Sequence, residues 1–502
     1  MAPPEPGALL PRRQETANTP LPEDAARDLS QAVGQMMRVT GNFLADTASI
    51  DHRIDPQVRR MMRDFGLVAQ DGANALDPPP PPWPSSGFEQ CSAVSKPRRQ
   101  LQAAGVDPDN LNDIGIGVLD VHHGKEGHGA MVSGVIADPE RGLIHGARLL
   151  PFEYDEGDGR DKPSRASQML EKPGENDLGA VVSELATSSM DFMSQKIQAS
   201  CIDNRDPKLR VLNVSLGTDQ VSIAKNLYGA MVKDPEKFRP WLNKLIGEDA
   251  ANKWIAGATA DRDLGSIPED KLLFQAIFNG IDKQLATDPK FQASMSKYRE
   301  VTKQAAESGV TIVVAAGNEQ DDLANLDLNL KPGQRYNFWA QSDHVIAVGA
   351  CNLRQTPERN SDDCVTGFSS HGTQRYHPTV VAQGQEVSAD TEGGIAGTSF
   401  ASPLVSATVA LMLAQNPKLK FDEIKAMLEN NASRLRGASV EAQGAGEVNI
   451  DQAVLAARDS GKPEDKRGPA PLAILHTEVE LVCTSDFTTD HLIPACKSLD
   501  FS

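Results

Sequence analysis

The stretch Ile114-Gly-Ile-Gly-Val-Leu-Asp120 is short, apolar and uncharged until its last residue, and it reads as a buried strand that ends on an aspartate. Similar runs recur at residues 211–215, 310–316 and 345–349, each bounded by glycine or polar residues. Between them lie stretches of helical periodicity. Strands alternating with helices from about residue 95 to 460 predict an α/β fold, with a mostly parallel central sheet covered by helices on both faces. An aspartate at the C-terminal end of such a strand stands where open α/β sheets place their functional sites.

Outward from this core the composition changes. Residues 1–77 predict a helical N-terminal extension: apolar side chains repeat at Leu29, Val33, Met36, Met37 and Phe43, and Asp55-Pro56 opens a second run through Val58, Met61, Met62 and Phe65. Residues 78–94 contain Pro78 to Pro82 and Trp83-Pro84, an extended spacer and the best domain boundary in the chain. A helical insertion is expected at about 218–305, where Trp254, Leu273 and Ile277 sit among charged residues. Residues 461–502 read as a linker followed by a short β extension.

Composition narrows the function classes. Apolar residues make up 39% and charged residues 24%, which is globular, and the 5% aromatic share points to an aliphatic core. A net charge of −19 argues against nucleic acid and anionic membranes, since basic clusters are as short as Lys96-Pro-Arg-Arg99. No run of about 18 apolar residues predicts a membrane span. The N-terminus carries no apolar stretch beyond Ala8-Leu-Leu10, so no signal peptide is visible; the sequence alone places the protein in the cytoplasm, with export by another route as the alternative. Six cysteines include Cys351/Cys364 and Cys483/Cys496 at equal spacing, which could close two small loops, although buried thiols are favoured.

Four residues are candidates for chemistry. Gly397-Thr-Ser-Phe-Ala-Ser402 places Ser399 at a glycine-led turn opening an apolar helix, where its N–H joins the unpaired donors of a helix N-terminus. An ordinary N-cap serine has the same signature. His128 lies in Glu126-Gly-His-Gly-Ala130 at the entrance of a second helix, whose small residues Gly129, Ser133 and Gly134 would permit close approach to the sheet. Asp120 alone could be a turn residue, and His122, His123 and His128 could mark a metal site, though no His-Glu-x-x-His pattern accompanies them. Asn318 follows Ala315-Ala-Gly317, where a left-handed turn residue would also be sensible. Glu319 reads as a solvated loop carboxylate, or else as a pocket residue favouring basic side chains.

The order Asp120, His128, Ser399 with these flanks resembles the subtilisin-like serine proteases, or subtilases, over roughly residues 110 to 455. Supporting stretches are Gly142-Leu-Ile-His-Gly146, Val211-Leu-Asn-Val-Ser-Leu-Gly217, Ala315-Ala-Gly-Asn318, Val345-Ile-Ala-Val-Gly-Ala350, Gly367-Phe-Ser-Ser370 and Gly446-Glu-Val-Asn449. The resemblance implies a serine endopeptidase in which Ser399 attacks, His128 moves the proton and Asp120 orients the imidazole. Asn318 would hold the oxyanion with the Ser399 N–H. Ser215, Leu216 and Gly217, with Ala315, Ala316 and Gly317, would flank an extended protein or peptide substrate. Calcium is possible by resemblance, with no ligand cluster to name. The N-terminal helices would be a prosegment or a partner-docking region.

The sequence also departs from that family's pattern. Val121-His122 follows Asp120, only 8 positions separate Asp120 from His128, Ala130-Met131 follows the histidine block, and Ala382-Gln-Gly384 replaces Ala-Pro-Gly. These departures motivate an alternative, a protease-like binding module with weak or no turnover. The related sedolisin-type acid peptidases share a Gly-Thr-Ser element but use a glutamate base, and His128 argues against them.

Overall fold

The computed structural model describes residues 92–462, except 112, 122–126, 140–141, 155–163, 204, 258–264, 266, 354–362 and 386–394. The expected N-terminal helices, proline spacer and C-terminal β extension lie outside the described residues, as do His122, His123, Cys91, Cys483 and Cys496.

The chain enters through helix α1 (Ser92–Ala103) and strand β1 (Gly115–Asp120), followed by α2 (His128–Ala137), β2 (Arg148–Glu153), α3 (Arg165–Leu170) and the long α4 (Leu178–Ile197). Strand β3 (Leu209–Val214) leads into five consecutive helices: α5 (Gln220–Lys233), α6 (Arg239–Ile246), α7 (Glu248–Gly257), α8 (Pro268–Thr287) and α9 (Pro289–Glu307). Then come β4 (Thr311–Ala315), β5 (Ile346–Asn352), β6 (Cys364–Val365), β7 (Val380–Gln383), α10 (Thr398–Gln415), α11 (Phe421–Asn430), α12 (Val440–Gln443) and α13 (Ile450–Ser460).

The strands form one sheet in the order β2-β1-β3-β4-β5-β6, with β7 also paired to β5. Every pairing is parallel except β5 with β6. The fold is therefore the mostly parallel α/β sheet that the sequence predicts. Alternate strand residues serve two different cores. Leu212, Val214, Ile312 and Val314 face the layer containing α4, α5, α8 and α9, while Val211, Val313, Ile116 and Val118 face α2 and α10. Burial on both faces explains why β1, β3 and β4 read as largely apolar runs.

Two sequence expectations are corrected here. Strand β2 (Arg-Leu-Leu-Pro-Phe-Glu) was not anticipated, because Pro151 and its largely accessible side chains do not look like a core strand. As an edge strand it tolerates the missing N–H. On α2, Gly129 is buried, but a methyl placed on Gly134 would meet nothing within 4 Å, so Gly134 is not what lets this helix approach the sheet.

The five helices between β3 and β4 bury Trp254, Leu273 and Ile277 completely. Their polar centre is Asp270, whose Oδ1 accepts from Trp254 Nε1 (2.9 Å) and the Tyr228 hydroxyl (3.0 Å), while its Oδ2 accepts from the Gly265 N–H (3.0 Å). A buried carboxylate held by three donors is tolerated where an unpaired one would be costly. Helix α10 is long and apolar enough to cross a bilayer, yet it is almost wholly buried inside the fold and serves as its central core helix. Cys201, Cys351 and Cys364 are thiols, although Cys351 and Cys364 lie on paired strands.

Candidate active site

The sheet order reverses around β1, since the chain passes from β1 to β2 on one side and then crosses to β3 on the other. The C-terminal ends beside such a switch point form a crevice. Asp120 ends β1, Ser215 follows β3, and Asn318 stands three residues beyond β4. The N-termini of α2 and α10 bring His128 and Ser399 to the same end.

The histidine half is preformed. Asp120 is completely buried, and its Oδ1 lies 2.7 Å from His128 Nδ1 and 2.7 Å from the Val121 N–H. Its other oxygen has no partner among the described residues. The short Asp–His connection does not prevent pairing, because α2 starts at His128 itself and the Gly129 N–H returns to the Val121 carbonyl (3.0 Å). The His128 ring packs against Phe400, the neighbour of Ser399, at a centroid distance of 5.7 Å.

The serine half is held by a network. Ser399 Oγ donates to the Ser215 carbonyl (2.8 Å) and makes no hydrogen bond to His128. In return the Ser215 hydroxyl donates to the Ser399 carbonyl (2.8 Å). That carbonyl needs an outside donor: its normal helical partner would be the N–H of residue 403, which is a proline. Ser215 Oγ also meets Ser402 Oγ at 2.9 Å and accepts from Asn213 Nδ2 at 2.9 Å. Ser215 is only 1% exposed, so its side chain anchors α10 to the sheet and does not line a groove.

Asn318 faces the same helix N-terminus. Its Oδ1 accepts both the Thr398 N–H (2.8 Å) and the Thr398 hydroxyl (2.9 Å), which fixes the amide and turns Nδ2 the other way. The Thr398 hydroxyl in turn accepts the Gly317 N–H at 3.2 Å. Neither Asn318 Nδ2 nor the Ser399 N–H has a hydrogen-bond partner among the described residues. A methyl group on Gly397 would sit 3.5 Å from the first and 3.6 Å from the second, so the two donors border a common space beside Gly397. With φ 154° and ψ 153°, Gly397 adopts a backbone conformation essentially confined to glycine. The left-handed residue of the preceding turn is Gly317 (φ 112°), not Asn318 as the sequence suggested.

The segments expected to flank a substrate are joined by a residue the sequence reading missed. Asn337 Nδ2 donates to the carbonyls of Leu216 (3.1 Å) and Ala315 (2.7 Å), its N–H donates to the Ala316 carbonyl (3.0 Å), and its Oδ1 accepts the Thr218 N–H (3.2 Å). Nothing local marks this asparagine, which works through contacts with residues more than twenty or a hundred positions away. Glu319 is corrected as well. The residue keeps some exposed surface, but its carboxyl is desolvated and accepts the Asn318 N–H at 2.7 Å, so it is not a solvated loop carboxylate.

The model of the subtilase family matches residues 112–446, spanning all four candidate residues. The chain belongs to the subtilase family. Among curated subtilases, it is similar to serine protease AprX of Bacillus subtilis (strain 168), 30% identical over 173 residues, covering 30% of this chain and 37% of AprX. It is also similar to subtilisin DY of Bacillus licheniformis, 28% identical over 159 residues, covering 31% of this chain and 50% of subtilisin DY. The chain thus spans half or less of the length of these relatives. A solved chain from a study of subtilase cytotoxin SubAB assembly is 14% identical, with 76% of this chain and 98% of that one covered and a TM-score of 0.41.

Among the described residues no group of three or more His, Cys, Asp or Glu side chains is arranged to hold a metal ion.

Proposed function

We propose that this subtilase is a serine endopeptidase that cleaves peptide bonds of protein substrates through an acyl-enzyme. The observation that carries the reading is the buried 2.7 Å bond between His128 Nδ1 and Asp120 Oδ1, beside the helix N-terminus that bears Ser399. Asp120 leaves the imidazole with Nδ1 protonated and Nε2 available as a base. Rotation of Ser399 about Cα–Cβ releases Oγ from the Ser215 carbonyl toward that base. Oγ then bonds to the scissile carbonyl carbon as its proton passes to Nε2, and the carbonyl oxygen takes the negative charge. Asn318 Nδ2 and the Ser399 N–H are the two donors available to it. Collapse of the adduct breaks the C–N bond, with the proton delivered from Nε2 to the leaving amine, and water repeats the sequence on the acyl-enzyme.

A fluorophosphonate probe should label Ser399, and Ser399→Ala should abolish both labelling and cleavage of a casein substrate, a loss on the order of 10⁶-fold in kcat by analogy with subtilisin itself. A folded wild-type protein that takes no label and cleaves no peptide would overturn the reading. It would favour the second one, a protease-like binding module, which the Ser399–Ser215 hydrogen bond supports by showing the hydroxyl turned away from its base.

A further inference from the structure

The two segments expected to flank a substrate differ in the backbone groups they have left to offer. After β4, the Ala315 carbonyl accepts Asn337 Nδ2 (2.7 Å), the Ala316 N–H donates to the Val348 carbonyl (2.9 Å), and the Ala316 carbonyl accepts the Asn337 N–H (3.0 Å). The Gly317 N–H donates to the Thr398 hydroxyl (3.2 Å), and the Gly317 carbonyl accepts the Ser370 N–H (3.0 Å). All of these groups are already bonded within the protein.

Beyond β3 the pattern alternates. The Leu216 carbonyl accepts Asn337 Nδ2 (3.1 Å), the Thr218 N–H donates to Asn337 Oδ1 (3.2 Å), and the Thr218 carbonyl accepts the Phe338 N–H (2.8 Å). Between them, the Gly217 N–H and carbonyl have no hydrogen-bond partner among the described residues. Successive residues of an extended chain turn these groups to opposite sides, so residues 216 and 218 face Asn337 and Phe338 while Gly217 faces away. A residue with both groups free on one side can exchange two hydrogen bonds with a second extended chain.

Asn337 holds this arrangement. It is 1% exposed and its amide is fully used: Nδ2 donates to one carbonyl from each segment, and Oδ1 accepts from the Thr218 N–H and from the Trp339 N–H (3.0 Å). Two carbonyls on one side and two N–H groups on the other fix which amide atom is which. A methyl group on Gly217 would sit 2.6 Å from Asn337 Nδ2, so a side chain there must push the amide aside.

We propose that Asn337 is a positioning residue for the substrate: standing in for a neighbouring strand, it ties residues 216–218 to residues 315–317 and turns the free N–H and carbonyl of Gly217 toward the peptide backbone. The groove is then one-sided, with residues 315–317 forming a wall and not a second hydrogen-bonding strand. Asn337 touches no reacting atom and acts through Gly217. Without its amide, the Leu216 and Ala315 carbonyls lose the donor between them, and the direction of Gly217 is no longer fixed.

The inference rests on the peptidase reading, so its test has one arm that needs no turnover. Fluorescently labelled casein should bind the full-length Ser399→Ala protein, and adding Asn337→Ala should weaken that binding about tenfold, the order expected when hydrogen bonds are lost or misdirected. In the active enzyme two substrates are compared, a peptide that extends several residues on the acyl side of the cleaved bond and p-nitrophenyl acetate, whose acyl group has no peptide backbone. In Asn337→Ala the ratio of kcat/KM on the peptide to kcat/KM on the ester should fall about tenfold to a hundredfold, the cost of a misplaced substrate. Gly217→Ala keeps every hydrogen-bonding group and displaces the amide from the other side, so it should lower the same ratio. Both variants are measured well below their unfolding midpoints in urea. An equal fall on peptide and ester would assign Asn337 to the integrity of the fold alone and overturn the proposal. So would a ratio unchanged in both variants, or casein binding that is the same with and without Asn337→Ala. If the wild type hydrolyses neither substrate, the peptidase reading fails, while casein binding still decides the role of Asn337.

Discussion

The two halves of the site are built on opposite plans. The histidine half depends on one short bond, His128 to Asp120, spanning only 8 positions of chain. The serine half assembles Ser215, Asn318 and Thr398 around Ser399 through contacts across 80 to 184 positions. A local pair folds as soon as β1 and α2 pack, whereas the network exists only when the whole sheet has closed. The histidine half should therefore fail at a single atom, and the serine half by degrees.

The largest effect should come from breaking the single bond. Asp120→Asn keeps the shape but turns an amide N–H toward Nδ1, which favours the wrong tautomer and removes the charge that stabilises the imidazolium. The expected loss in kcat is about 10⁴-fold, with thermal stability little changed. A loss below tenfold, measured on a peptide substrate, would show that the short connection has already uncoupled Asp120 from catalysis.

On the serine half, Asn318→Ala removes one of the two donors proposed for the oxyanion and leaves the Ser399 N–H in place. It should cost about 10²–10³ in kcat, or about 2.7–4 kcal/mol, a magnitude established in subtilisin and carried over here, with KM nearly constant. The Thr398 N–H and hydroxyl both lose their acceptor in this variant, so Asn318→Asp is the sharper comparison. It keeps the acceptor for Thr398 but replaces the donor with a carboxylate whose charge opposes the oxyanion, so it should lose at least as much kcat as Asn318→Ala. A smaller loss in Asn318→Asp than in Asn318→Ala would assign the effect to the lost support of Thr398 and not to the missing N–H.

The same contrast explains what the sequence disclosed. Asp120, His128 and Ser399 were legible because Asp120 closes an apolar run and the other two follow a glycine at the opening of a helix, a pattern set by strand ends and helix starts. The strands β1, β3, β4 and β5 were legible because burial on both faces leaves them mostly apolar, with few polar positions such as Asn213 and Thr311. Strand β2 was not, since an edge strand with Pro151 obeys neither rule. Asn337 was illegible for another reason. Its work is to join segments that meet only in the folded protein, and a lone asparagine carries no local trace of a distant carbonyl. Gly317 shows the limit at its narrowest: the turn was anticipated, but the left-handed conformation was assigned one residue too late.

The smallest activity effect should come from Ser215→Ala, and it separates support from chemistry. The hydroxyl touches no reacting atom; it satisfies the carbonyl of Ser399 that Pro403 cannot reach, and it accepts from the buried Asn213 amide. Asn213 in turn accepts the Ser406 hydroxyl at 2.8 Å, so one hydroxyl joins β3 to two turns of α10. Its loss leaves a buried donor and a buried acceptor without this partner, which costs about 1–3 kcal/mol for each group left unsatisfied. The Ser399 hydroxyl keeps its own bond, because the acceptor there is the Ser215 main-chain carbonyl, which alanine retains. Unfolding midpoints in urea should fall while kcat drops less than tenfold. If kcat instead falls as far as in Asn318→Ala with the unfolding midpoint unchanged, the Ser215 hydroxyl belongs to the chemistry of the site, and the division between a fragile histidine pair and a graded serine network no longer holds.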